Sequence, residues 1–225
     1  MKRLSLRLGL AVCGLIFAAS PAQASPTDSA PADRAVDTPA LQFLPPPPSY
    51  QGEPYFQAQT LNICGHRCTQ SSLKLDSIAD RIWFSQLEAV ALQEVCRKQL
   101  VAIQDRLDEY QDGKYKIHFG YSRTIGTTQC DTYGTGVITL HYSEPNRYDL
   151  PSPSSGEQRI NSCITTMMWG QPVRACSTHL SYNGEPFGYE YRQDQIAHVR
   201  TYCAGQGGYR AILQMGDFNA PSPEQ

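Results

Sequence analysis

The chain has 225 residues, 40% of them hydrophobic and 18% charged, with a formal net charge of −2 and eight cysteines. That length and balance suit one folded domain and exclude an intrinsically disordered chain. They also exclude a protein held on nucleic acid by bulk positive charge alone.

The N-terminus reads as a targeting signal rather than as part of the fold. Lys2, Arg3 and Arg7 form a basic start, Leu8 to Ala19 is short and apolar, and Ala22-Gln23-Ala24 is a small-x-small cleavage site. Residues 1–24 are therefore expected to be a signal peptide, with a mature chain starting at Ser25 and destined for secretion or the periplasm. Its removal takes three basic and no acidic groups, leaving 16 basic against 21 acidic residues and a net charge of −5. The apolar run is too short to span a membrane, so no stable membrane insertion is expected. Residues 25–54, with Pro45-Pro-Pro-Pro48, read as an extended, disordered spacer rich in Pro, Ala and Ser. The folded domain is expected over 55–225, as a monomer.

Along that domain, strand-like and helix-like segments alternate. Phe56 to Ile63 reads as a strand presenting Asn62 at its end. Leu73 to Gln86 has helical spacing, and Ala89 to Gln93 is an apolar strand leading into Glu94. Leu100, Ile103 and Leu107 define a second helix over Arg97 to Tyr110. Strands are expected at Tyr115–Ser122 and Gly136–Tyr142, and a hairpin joins Ile160–Trp169 to Val173–His179 through Gly170-Gln-Pro172. Tyr189 to Cys203 reads as a third helix and Ala211 to Met215 as the last strand, ending in Gly216-Asp-Phe-Asn219. Hairpins mixed with strand–helix–strand units point to an α/β protein with mixed sheets.

Four apolar strands thus end in residues of catalytic type: Asn62, Glu94, His179 and the Asp217/Asn219 pair. Side chains at strand ends of an α/β protein converge on one rim, where ligands bind. Asp217 and Asn219 are two residues apart, so on an extended backbone they point the same way. Asn62, Glu94, Asp217 and Asn219 all offer oxygen, the donor that a hard cation such as Mg²⁺ prefers.

Seven cysteines remain after the signal, and in an oxidising compartment most should pair. Cys163 and Cys176 face each other across the hairpin, and Cys64-Gly-His-Arg-Cys68 can close a tight loop just past Asn62. A zinc site on Cys64, His66 and Cys68 competes with that loop bridge but lacks a clear fourth ligand. Cys96 and Cys130 are the natural remaining pair, and Cys203 is left over.

In their order, Thr60-Leu-Asn62, Leu92-Gln-Glu-Val95, Tyr133-Gly-Thr-Gly-Val-Ile138, Gly156-Glu-Gln-Arg159, Ser177-Thr-His-Leu180 and Gly216-Asp-Phe-Asn219 resemble the motifs of the endonuclease/exonuclease/phosphatase (DNase I-like) family. The resemblance covers nearly all of residues 56–220 and implies a four-layer α/β sandwich with two central mixed β-sheets. It implies a metal-dependent phosphoric ester hydrolase using Mg²⁺ (or Mn²⁺) on a phosphodiester: nucleic acid, a phospholipid head group or a small phosphate ester. Carried over, Glu94 is the principal metal ligand and Asn62 helps hold the metal. Asp217 orients the attacking water, Asn219 binds a phosphate oxygen, and His179 contacts the phosphate or assists the leaving group. Arg159 takes a structural place. Family members continue past Gly-Asp-Phe-Asn to further strands and a terminal Ser-Asp-His, so the chain is expected to be C-terminally truncated and impaired on its own. The competing expectation is a catalytically dead binding or structural module on the same fold.

Overall fold

In a computed structural model, the described residues are 12–15, 56–65, 72–140, 143–154, 157–168, 170–182, 184 and 187–219. Twelve elements follow in order: β1 (Val12–Leu15), β2 (Ala58–Asn62), α1 (Ser72–Phe84), β3 (Ala89–Cys96), α2 (Arg97–Tyr110), β4 (Tyr115–Thr124), β5 (Thr132–Leu140), β6 (Ser143–Asp149), β7 (Ile160–Met168), β8 (Gln171–His179), α3 (Gly188–Gly205) and β9 (Ala211–Asp217). The strands form two mixed sheets, ordered β2-β3-β5-β4 and β1-β9-β8-β7-β6. In the first, β2 and β3 run parallel while β5 opposes both β3 and β4. In the second, β9 runs parallel to β8 and β1, and β7 opposes β8 and β6.

The sheets lie face to face. Small and medium side chains (Ala89, Ala91, Val137, Ile164, Ala175 and Met215) meet in the interface between them. Polar groups also cross it: Gln93 Nε2 donates to Ser177 Oγ at 3.1 Å, Ser177 Oγ to the Leu92 carbonyl at 3.2 Å, and Thr135 and Ser162 hydroxyls pair at 2.8 Å. Each is buried with a partner, as a low-dielectric interior demands. Gly120 allows close approach there, since a Cβ would sit 1.7 Å from Ser162 Oγ.

Helices close the outer faces. On α1, Leu75, Ile78, Ala79 and Ile82 recur at helical spacing and pack with Leu100, Ile103 and Leu107 of α2 against β3 and β5. Fully burying one such leucine contributes roughly 1.5–3 kcal/mol. On the other side, Val199 and Cys203 of α3 pack on Cys163, Cys176, Leu180, Ile212 and Phe218. The order helix, sheet, sheet, helix is the four-layer α/β sandwich.

Three expectations need correcting. The strand at Ala89 does not stop before Glu94: β3 continues to Cys96, and α2 begins at once. Glu94 sits instead on a bulge, where the register with β5 shifts between Leu92 and Val95 and its own φ is +55°. Residues 143–149, to which the sequence reading gave no element, form an edge strand on β7. Finally, Asn219 is not extended. Its φ of +48° turns the chain back on Asp217, whose Oδ1 accepts the Asn219 N–H, so the extended backbone assumed for the pair does not reach Asn219.

The expected bridges Cys96–Cys130 and Cys163–Cys176 are both present. Cys163 and Cys176 are direct cross-strand partners with Cα atoms 4.1 Å apart, close to a non-hydrogen-bonded antiparallel pair. Cys64 is also in a disulfide, which removes it as a zinc ligand; Cys68 and His66 lie outside the described residues. Cys203 is buried and outside any disulfide. The expected signal peptide and spacer lie outside the described residues except for Val12–Leu15, a short strand beside β9.

Candidate active site

The ends of β2, β3, β8 and β9 meet on one rim. His179 and Asp217 are paired neighbours in the parallel β8–β9 ladder, and Asn62 ends β2 beside β3. Asn62 joins the two sheets: its Nδ2 donates to Glu94 Oε1 at 3.1 Å and to Asp217 Oδ2 at 3.1 Å. Its Oδ1 accepts the Cys64 backbone N–H at 3.0 Å, which fixes the amide with its nitrogen toward the carboxylates. His179 Nε2 stands 3.9 Å from Glu94 Oε1 and 3.9 Å from Asp217 Oδ2. Four side chains separated by up to 155 residues thus share one small volume.

The local backbone explains each position. Gly216 has a φ of +151°, and a Cβ there would lie 2.1 Å from the Thr178 carbonyl, so only glycine lets β9 lie this close to β8 just before Asp217. Asp217 is 7% exposed; its Oδ1 accepts the Asn219 N–H at 3.0 Å while its backbone carbonyl accepts the Leu180 N–H at 2.9 Å. The Asn219 turn places Nδ2 2.7 Å from the Leu180 carbonyl, which leaves its second N–H and its Oδ1 for a ligand.

Glu94 is held from behind. The Gly65 N–H donates to its carbonyl at 2.5 Å, and a Cβ on Gly65 would come within 2.3 Å of that oxygen. Gln99, on the first turn of α2, accepts the Cys96 N–H at 2.9 Å and donates to the Gly65 carbonyl at 3.1 Å. Burial, then the negative charges of Glu157 and Glu94, pushes the buried Tyr133 phenol well above the ordinary tyrosine range. Arg159, 3% exposed and 3.5 Å from Glu157 Oε1, lies in the same interior. Sequence reasoning gave Arg159 a structural place and Tyr133 no role. Tyr133 pairs with Cys96 across the β3–β5 ladder.

The donor set suits a hard divalent cation. Two carboxylate oxygens approach the same amide nitrogen, and rotating that amide by half a turn would offer Oδ1 in its place. Among the described residues no three His, Cys, Asp or Glu side chains form a closed metal cluster; the set is two carboxylates and one amide. Two shallow concavities, of about 260 and 390 Å³, lie along α2 and include none of these residues.

No family model and no curated protein matches the chain. Solved structures do. An endonuclease/exonuclease/phosphatase family protein from Leptotrichia buccalis aligns at 20% identity with a TM-score of 0.58, over 74% of this chain and 67% of the other. D. rerio TDP2 complexed with a single-strand DNA product aligns at 15% identity and a TM-score of 0.57, over 75% and 62%. ANGEL2, a 2',3'-cyclic phosphatase, aligns at 17% identity and a TM-score of 0.53, over 68% and 45%. The chain spans between 45% and 67% of the length of these proteins. The likeness establishes the fold, that of the endonuclease/exonuclease/phosphatase proteins.

Proposed function

We propose that this chain is an exported, divalent-metal-dependent phosphoester hydrolase of the endonuclease/exonuclease/phosphatase family, working with Mg²⁺ or Mn²⁺ on a phosphodiester. The observation that carries the reading is the junction of Glu94, Asp217 and His179 around the Asn62 amide on a fold shared with phosphoester-processing proteins.

Glu94 and Asn62 would hold the cation, Asn62 after turning Oδ1 inward. Bound there, the ion would polarise a phosphoryl oxygen and help neutralise the charge that builds up on it. The remaining steps belong to the side chains. Asp217, through Oδ2, accepts a hydrogen bond from the attacking water and orients it. His179, with Nε2 facing the same volume, donates to a phosphate oxygen or to the leaving oxygen. Asn219 donates its second N–H to a phosphate oxygen, preorganised by its bond to Leu180.

Export is supported by the signal-like N-terminus and by five cysteines held in disulfides. No helix among the described residues is long and apolar enough to cross a membrane. The substrate is a nucleic acid, a phospholipid head group or a small phosphate ester. D. rerio TDP2, seen with a single-strand DNA product, and ANGEL2, a cyclic phosphatase, favour a nucleic-acid phosphoester as the first class to assay.

The test is hydrolysis of DNA, bis(p-nitrophenyl) phosphate and sphingomyelin by the purified chain with Mg²⁺. Metal-dependent turnover of one of them is expected. A cooperatively folded protein that turns over none would replace the enzyme with a binding module on the same fold.

A further inference from the structure

We infer that Gln93 is a positioning residue for the rim: its buried amide ties together the strands that carry Asn62, Glu94 and His179, and so aligns the two sheets' halves of the site. The inference rests on the catalytic reading of that rim given above.

The chemistry needs both sheets. Asn62 and Glu94 belong to the sheet β2-β3-β5-β4, whereas His179 and Asp217 belong to the sheet containing β8 and β9. Sheets packed only through apolar side chains are held by contacts without direction, which fix their separation better than their alignment. Alignment matters at a reaction centre, where a misplacement of about 1 Å can cost about 10²-fold in rate.

Gln93 supplies the direction. Thr60 Oγ1 donates to Gln93 Oε1 at 3.1 Å, Gln93 Nε2 donates to Ser177 Oγ at 3.1 Å, and Ser177 Oγ donates to the Leu92 carbonyl at 3.2 Å. Ser177 gives its one proton to Leu92, so toward Gln93 it can only accept, and the amide is fixed with its nitrogen toward β8. The Gln93 backbone carbonyl also accepts the Ile63 N–H at 3.0 Å, just past Asn62. Each anchor adjoins a site residue: Thr60 lies two before Asn62, Gln93 directly before Glu94, and Ser177 two before His179. Residues two apart on a strand share a face, so Thr60 and Ser177 form the layer directly beneath Asn62 and His179. Gln93 and Ser177 are both buried, where hydrogen bonds are strong and a stranded polar group is costly. An apolar side chain would fill this space without a desolvation cost; what the amide adds is a fixed geometry between three strands.

The test removes the side-chain network as a whole, in the triple variant Thr60→Val/Gln93→Met/Ser177→Ala. Replacing all partners by apolar groups of similar shape should leave the thermal midpoint close to wild type. With bis(p-nitrophenyl) phosphate and Mg²⁺, kcat of the triple variant should fall about 10–100-fold. KM should change little, the split expected when an arrangement made only in the transition state is lost. A second readout needs neither metal nor substrate. The Asn62 side-chain amide spans Glu94 and Asp217, one from each sheet, and its ¹⁵N–¹H NMR signals, assigned by their loss in Asn62→Asp, should move in the triple variant. Wild-type kcat in a folded triple variant overturns the inference. If the wild type turns over nothing, the hydrolase reading fails instead and the amide decides: shifted signals support the positioning role, and signals unchanged from wild type overturn it. Should the triple variant not fold, Thr60→Val, at a half-buried position, is read in the same two ways, with a smaller fall in kcat expected.

Discussion

His179 and Asp217 stand opposite each other in the parallel ladder of β8 and β9, with Nε2 3.9 Å from Oδ2. At that distance the pair makes no direct hydrogen bond. Both side chains face the same rim, where Asp217 Oδ2 also accepts from Asn62 Nδ2 at 3.1 Å.

His179→Ala removes a proton donor from the rim beside Glu94 and Asp217. Turnover should fall about 10²–10⁴-fold, the usual worth of general acid–base assistance. The variant should still melt as a cooperatively folded protein. Steady-state kinetics beside a melting curve checks both, and a large fall in stability with unchanged turnover would assign the residue to the fold.

Gly216→Ala tests how the strand geometry delivers Asp217. The new Cβ would press on the Thr178 carbonyl 2.1 Å away, at a φ of +151° that alanine avoids. A loss of about 1–3 kcal/mol is expected, together with reduced turnover because Asp217 follows directly. Chemical denaturation measures the first and the hydrolysis assay the second.

Much of this arrangement was legible in the sequence. Helix α2 runs from Arg97 to Tyr110 as its apolar spacing requires, and β8 ends on His179. Helix α2 buries one clear face, and β8 is a continuous buried run, so both segments stand out. The missed strand β6 contains Pro145 and Asn146 and pairs only with β7, and most of its described side chains are exposed, so burial leaves no trace in its composition. The Glu94 bulge and the Asn219 turn were hidden for another reason. Both are non-glycine residues at positive φ, held by tertiary partners (Gly65 for one, Asp217 for the other) that no local window contains.

His118 gives the fold a pH dependence that can be signed. Burial holds its imidazole below the ordinary value of 6.5, with Arg174 acting in the same direction and the Nε2–H bond to the Asn146 carbonyl at 3.1 Å opposing. The unfolded chain takes up this proton more readily than the folded one, so stability is highest above the unfolded pKa. It falls as pH drops from about 6.5 toward the lower folded value. Urea midpoints at a series of pH values should decline across that window, and His118→Asn should flatten the decline. An unchanged slope in the variant would remove His118 as its source.

The central claim is that Glu94 holds a divalent cation that phosphoester hydrolysis requires. Its most direct measurement is the hydrolysis of bis(p-nitrophenyl) phosphate by wild type and Glu94→Gln, each with Mg²⁺, with EDTA, and with Mg²⁺ restored. Wild type should turn over only when Mg²⁺ is present, and E94Q should stay at background under all three conditions while melting as a folded protein. Equal turnover by the two proteins, or wild-type turnover that persists in EDTA, would contradict it.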